Sequence, residues 1–254
     1  MLWYKSWLDT RWRFLIGLAL LMLGASGIVL YYPEVVKLLP LVPNIDTSGP
    51  LGRRIKEAAE LQRDYRGYVW SQWFGQNVTQ TGTLFAVLLG SGGPVTQGSG
   101  GALFTLSLPV SRNRLLEVRA AAGLAEWLVL ALVPSLLIPL LSPAVGQTYA
   151  VTSALVHAVC LFVAGGVFFS LALLLSTVFT DLWRPLLLAC AAAVVLAIGE
   201  LFARDLSRYG LFTLMSGERY FRTGAVPWLG LLVGAALSAL LLYGAAMNIA
   251  RRDF

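Results

Sequence analysis

The sequence predicts an all-α membrane protein with six transmembrane helices, and three observations carry that prediction. Charged residues make up only 13% of the 254, against 57% hydrophobic, whereas soluble domains carry about a quarter charged residues. Mean hydropathy is +0.73. Six stretches reach the roughly 20 apolar residues a helix needs to cross the hydrocarbon core: Phe14–Tyr32, Val69–Gly90, Ala120–Leu141, Val151–Phe179, Leu182–Phe202 and Val226–Met247. The remaining charge clusters between them. A single membrane domain, 1–254, accounts for the whole chain.

Composition also narrows the function classes. The net charge of +6 reads as charge facing anionic lipid headgroups. Nucleic acid is not the expected partner, because no basic stripe lies outside the inter-span loops. Cys160 and Cys190 fall inside apolar runs and read as small buried hydrophobes, not as a disulfide framework. His157 is the one histidine. His157–Cys160 (HAVC) has ligand-like spacing but no second pair, so the structural reading outweighs a metal site.

The first apolar stretch is too long for the core of a signal peptide and lacks a small-residue cleavage site. Before it, LWYKSWLDTRWRF interleaves Trp3, Trp7 and Trp12 with Lys5, Arg11 and Arg13. Aromatic and basic residues gather at membrane interfaces, so residues 2–13 are expected to form an amphipathic interfacial helix leading into span 1. Pro33, Pro40, Pro43 and Pro50 break the start of the following loop. Its second half, residues 51–68, reads as a surface helix with Arg53–Glu57 and Lys56–Glu60 at i,i+4.

Span 2 is the most polar, with Gln72, Gln76, Asn77, Thr79, Gln80, Thr81 and Thr83. Amides facing lipid are costly, so these face protein or water. Two readings stay open: they bond helices together across a dimer interface, or they line a translocation path. Gly90–Gly101 is glycine-rich and cannot hold a firm helix. After it, Ser107, Pro109 and Ser111 suit a helix start, Leu115 and Leu116 embed, and Arg112, Arg114 and Arg119 stay at the headgroups.

Span 3 places Glu126 one to two turns inside the membrane. An intramembrane carboxylate marks function by default; the preferred reading here is a snorkelling or helix-pairing residue near the boundary. Pro134 and Pro139 are expected to kink or break this helix. The short link TDLWRP forces spans 4 and 5 into an antiparallel hairpin, and Glu200 closes span 5 as an interfacial residue. Residues 204–224 are too polar to span, yet carry an apolar run at Leu211–Met215, which suits a re-entrant or interfacial helix pair before span 6.

Six spans put both termini on one side. That side carries Lys5, Arg11, Arg13, Arg112, Arg114, Arg119, Arg184, Arg251 and Arg252, all close to span ends. The basic residues opposite are interleaved with acids in longer segments. The positive-inside rule weighs short flanks, so both termini are expected in the cytoplasm of a multi-pass protein of the plasma (inner) membrane.

The segment Gly101–Gly123, GALFTLSLPVSRNRLLEVRAAAG, resembles the characteristic region of ABC-2-type permeases, the membrane subunits of many ATP-binding-cassette exporters. The aromatic-basic opening and the final ARRDF resemble that family's ends. Where family members carry an acidic run before the motif, this chain has GPVTQGSGGALF. The resemblance implies a cytoplasmic coupling helix after span 2, seated on a separate ATPase. Leu106, Leu108, Pro109, Val110, Ser111, Arg112, Arg114 and Leu115 would make that contact, with Leu108 and Pro109 in a groove and the arginines at its acidic rim. It further implies a permease homo- or heterodimer with two ATPase copies. The chain has no G-x-x-x-x-G-K-[ST] motif, so ATP and Mg are expected on the partner, and the chain itself holds no cofactor. The translocation path or dimer interface would involve Gln76, Asn77, Gln80, Thr83 and Glu126.

An intramembrane enzyme would need converging polar groups; one histidine and two membrane-embedded acids on different spans, Glu126 and Glu200, are poor material. The alternative to the permease is an ion-coupled secondary carrier working without an ATPase.

Overall fold

The computed structural model describes residues 2–38, 60–92, 112–179, 181–202 and 210–251. Among them every regular element is helical. Five helices are long and apolar enough to cross a membrane: α1 (Leu2–Leu38), α4 (Arg112–Leu141), α5 (Val151–Val178), α6 (Trp183–Phe202) and α9 (Trp228–Ala250). Between α1 and α4 lie α2 (Tyr65–Val69), a π-helix (Trp70–Asn77) and α3 (Val78–Gly90). Two short helices, α7 (Leu211–Ser216) and α8 (Glu218–Thr223), precede α9. The chain is thus a multi-pass helical membrane protein.

Several elements differ from the sequence expectation. The interfacial helix is not separate: α1 is one unbroken helix of 37 residues that includes Pro33. No proline and no charged residue falls between Arg13 and Pro33, so the aromatic-basic opening continues into the span. At 1.5 Å per residue α1 is about 55 Å long, well beyond a core of about 30 Å. Residues 69–90 are not one α-helix, because the π-helix interrupts them. Conversely, α4 continues through Pro134 and Pro139. Neighbouring hydroxyls take up carbonyls of that helix: Ser135 Oγ donates to Ala131 O and Ser142 Oγ to Ile138 O, each at 2.7 Å. The carbonyls that the two prolines leave without an N–H are a different pair, Leu130 and Ser135, four residues before each; membrane helices tolerate such residues through local adjustment.

α5 is the central helix. Its most apolar stretch is 67% buried, against 17% to 33% for the other four long helices. It packs against α3, α4, α6, α7 and α9. Trp127 of α4 donates its ring N–H to Phe162 O of α5 at 3.0 Å, while Gly123 faces Phe169, so these helices run antiparallel. Gly165 makes room for Trp127: a Cβ there would lie 2.1 Å from the indole. α1 lies on α4 through a stripe of Ser6, Thr10, Leu21, Ala25, Val29 and Tyr32, all buried. Their spacing of three, four and seven or more residues keeps one helix face inward. Ser6 meets Arg119 and Thr10 meets Glu126, so α1 and α4 run parallel. Arg13 meets Leu88 while Tyr68 meets Ile28, so the α2–α3 stretch runs antiparallel to α1.

The two ends of this bundle differ in chemistry. One gathers Arg13, Arg119 and the last turn of α3. The other gathers rings: Tyr32 packs on Tyr65 and Tyr68 at 4.8 and 5.1 Å, and Tyr65 on Tyr149 at 6.4 Å. Tyr65 also bonds Ser142 at 2.7 Å. Burial pushes the Tyr149 hydroxyl well above its ordinary range.

Candidate functional site

Polar side chains converge in two places, one at the π-helix and one where α3 ends.

At the π-helix, large rings fix the backbone from inside. Trp70 stacks on Phe221 at 4.4 Å with planes 5° apart, and donates its N–H to Ser216 O at 3.1 Å. Phe74 stacks on His157 at 4.3 Å. Trp73 is buried beside Gly24 of α1. Polar side chains then return to carbonyls of the widened turn: Ser71 Oγ to Tyr68 O, Asn77 Nδ2 to Gln72 O and Thr79 Oγ1 to Phe74 O. Short π-helical segments are rare and concentrate at functional sites.

The consequence lies on the opposite face. Gln76, Asn77 and Gln80 are exposed on this protomer. Burying an amide in hydrocarbon without a partner costs about 2–7 kcal/mol. Wherever this face meets hydrocarbon, three amides on it require water or another protein surface. Thr83 and Glu126 do not join them. Thr83 is buried, donating to Thr79 O at 2.7 Å and touching Met215 Sδ at 3.5 Å. Glu126 lies in the α1–α4 seam.

The α7–α8 pair covers the inner side of the π-helix and is pinned by Glu200. Its carboxylate accepts from Phe212 N at 3.0 Å and Thr213 N at 3.2 Å, at the N-terminus of α7. Glu200, expected as an interfacial residue at the end of its helix, thus also caps another helix. Gly210 permits the approach, since a Cβ there would fall 2.3 Å from the carboxylate. Gly217 links α7 to α8 at φ 65°, and a Cβ there would meet His157 at 2.8 Å. His157 Nδ1 donates to Ser153 O at 2.7 Å, which fixes the tautomer. No metal-binding group of His, Cys, Asp and Glu occurs among the described residues. Replacing Glu200 with alanine should destabilise the fold by about 1–2 kcal/mol, the worth of a lost cap. Thermal unfolding of the purified chain checks this, and Gly210→Val should act in the same direction.

The second place is the C-terminus of α3. A helix ends with four carbonyls lacking intrahelical partners and about half a negative charge. Arg13 of α1 donates from Nη1 to Leu88 O and Ser91 O, both at 2.9 Å. Arg119 of α4 donates from Nη2 to Leu89 O at 3.3 Å and Ser91 O at 3.5 Å, and from Nη1 to Ser6 O at 3.4 Å. Two guanidinium groups thereby tie α1 and α4 to the end of α3. Arg119 is 8% exposed, which corrects the expectation that it stays at the headgroups: the carbonyls of α3 replace the water it gives up. Two turns beyond Arg119 on α4, Glu126 Oε1 lies 2.6 Å from Thr10 Oγ1. Glu126 is 6% exposed, so it pairs helices and does not snorkel.

Of the residues expected to touch an ATPase, Leu106, Leu108, Pro109, Val110 and Ser111 lie outside the described residues. Arg112, Arg114 and Leu115 belong to the first turn of α4, and Arg114 is exposed there. The clasp itself was not anticipated. Its trace in sequence was a basic residue immediately before each of two spans, Arg13 and Arg119.

Compared with protein-family models, characterised proteins and solved structures, the chain matches none.

Proposed function

We propose that the chain is the membrane-spanning permease subunit of an ATP-binding-cassette exporter of the ABC-2 type, acting as a dimer with two copies of a separate cytoplasmic ATPase. In this reading the interrupted stretch from α2 to α3 crosses the membrane together with the five long helices, giving six spans. Both termini and the clasp face the cytoplasm, in the plasma (inner) membrane.

The observation that carries the reading is the rooting of the segment 93–111, which bears SLPVS, the first half of the SLPVSRNRLL sequence, the rest opening α4. It leaves the described chain at Gly92, one residue beyond the Ser91 carbonyl held by Arg13 and Arg119. It re-enters at Arg112, at the head of the helix that carries Arg119. Force applied to this segment therefore reaches α1, α3 and α4 through one polar node. Coupling between distant sites travels through packed, hydrogen-bonded elements of this kind. ATP and Mg stay on the partner, and this chain converts the partner's closure into movement of spans. Gln76, Asn77 and Gln80 line the path at the seam between two permease copies.

The interruption at Trp70–Asn77 favours a second reading, an ion-coupled carrier, since carriers bind at broken helices. Such carriers place a matching break in the other half, and the described residues hold one π-helix.

Reversing Arg112 and Arg114 together to glutamate should cut co-purification of the ATPase at least about tenfold, corresponding to about 1.4 kcal/mol, without loss of membrane insertion. Unchanged co-purification contradicts the coupling contact.

A further inference from the structure

Glu126 sits where a carboxylate is poorly served. It is 6% exposed. Its Oε2 has no hydrogen-bond partner among the described residues, and it joins none of the ion pairs, which are Lys37–Glu34, Arg184–Asp181 and Arg222–Glu218. Arg119, two turns earlier on the same helix, turns Nη1 and Nη2 to the Ser6, Leu89 and Ser91 carbonyls and makes no ion pair with Glu126. The other charged groups nearby are on α1: Lys5, the exposed Asp9, and Arg13, which is committed to Leu88 and Ser91. α3 and α9 carry no charged side chain. His157 of α5 packs against Phe74 and Tyr220 instead.

Thr10 Oγ1 lies 2.6 Å from Glu126 Oε1 and 3.1 Å from Ser6 O. A hydroxyl has one proton to donate. Ser6 O and an ionised carboxylate both only accept, so the two contacts of Thr10 are both full hydrogen bonds only when Glu126 supplies a proton. Ser6 O also accepts from Arg119 Nη1, so the chain runs Glu126 to Thr10 to Ser6 O, meeting Arg119 from the other side.

From this arrangement we infer that Glu126 is a proton-binding site: a neutral acid in this conformation, donating to Thr10, that loses its proton to the aqueous phase in a second conformation where Arg119 leaves the α3 carbonyls for the carboxylate. A buried charge without a partner is strongly unfavourable, so ionisation and the movement of Arg119 occur together. Proton loss thereby unlocks the end of α3. The inference rests on the α1–α4 seam and not on the transport reading.

Infrared titration of the purified full chain in lipid nanodiscs tests it. At neutral pH the wild type should show a protonated-carboxyl stretch that Glu126→Gln removes and Thr10→Val shifts. Raising the pH should abolish that band and speed amide hydrogen exchange at residues 88–92 by about tenfold, with no such change in Glu126→Gln. Absence of the band at neutral pH overturns the proposal, as does a band indifferent to Thr10→Val. Loss of the band without faster exchange overturns the link to Arg119. Glutamine mimics the neutral acid, so a misfolded Glu126→Gln also contradicts it, while Thr10→Val still reads the band independently.

Discussion

On the permease reading, replacing Gln76, Asn77 and Gln80 together with leucine should abolish transport while leaving the chain folded and inserted. The three amides are exposed on the protomer, and their bonds within it are few: Asn77 returns to Gln72 O at 2.6 Å. Within the chain, leucine at these positions costs the Asn77–Gln72 bond and no other hydrogen bond described above. What it removes is the hydrogen bonding that a second copy or a passing substrate would use. Interhelical amide bonds in membranes contribute about 0.6–2 kcal/mol each, so three of them shift a dimer equilibrium at least about tenfold. Transport into inverted vesicles and the dimer fraction in mild detergent read the two roles separately. If both stay at wild-type level, the amide face has neither role.

Replacing Arg119 with methionine should be the most damaging single change at the bundle's arginine-bearing end. Methionine keeps the stem of the side chain and loses the guanidinium fork, leaving Leu89 O without its donor and Ser91 O with only Arg13. Hydrogen bonds to charged groups contribute about 1.5–3 kcal/mol, so a loss of about 3 kcal/mol is expected. Arg119→Lys retains the charge but not the fork, and should recover part of it. Differential scanning calorimetry in detergent reads the stability. On the permease reading, a complex carrying the methionine variant should hydrolyse ATP without moving substrate. A methionine variant as stable as wild type would show that the clasp does not hold the end of α3.

The helices were legible because hydropathy alone reports them: the apolar runs around Val151–Phe179 and Leu182–Phe202 became α5 and α6 within a residue or so. Interruptions were less legible. Pro134 and Pro139 look decisive in sequence, yet α4 passes through both, since leaving the helix in lipid costs more than a missing N–H. The break fell instead at Trp70–Asn77, which contains no proline. It is set by where Trp70 and Phe74 find Phe221 and His157, partners 80 to 150 residues away. The amides at 76, 77 and 80 were readable because lipid makes them conspicuous. Arg13, Arg119 and Glu200 were not, because each satisfies backbone groups of another helix, and no local spacing encodes that pairing.

The most direct test of the central claim is a mild-detergent pull-down of the tagged chain from its native membrane, with ATP hydrolysis measured on the eluate. The permease reading predicts a soluble ATPase in equal amount to the chain, released by reversal of Arg112 and Arg114. An eluate in which the membrane dimer is intact and no ATPase accompanies it would contradict that reading and favour the carrier.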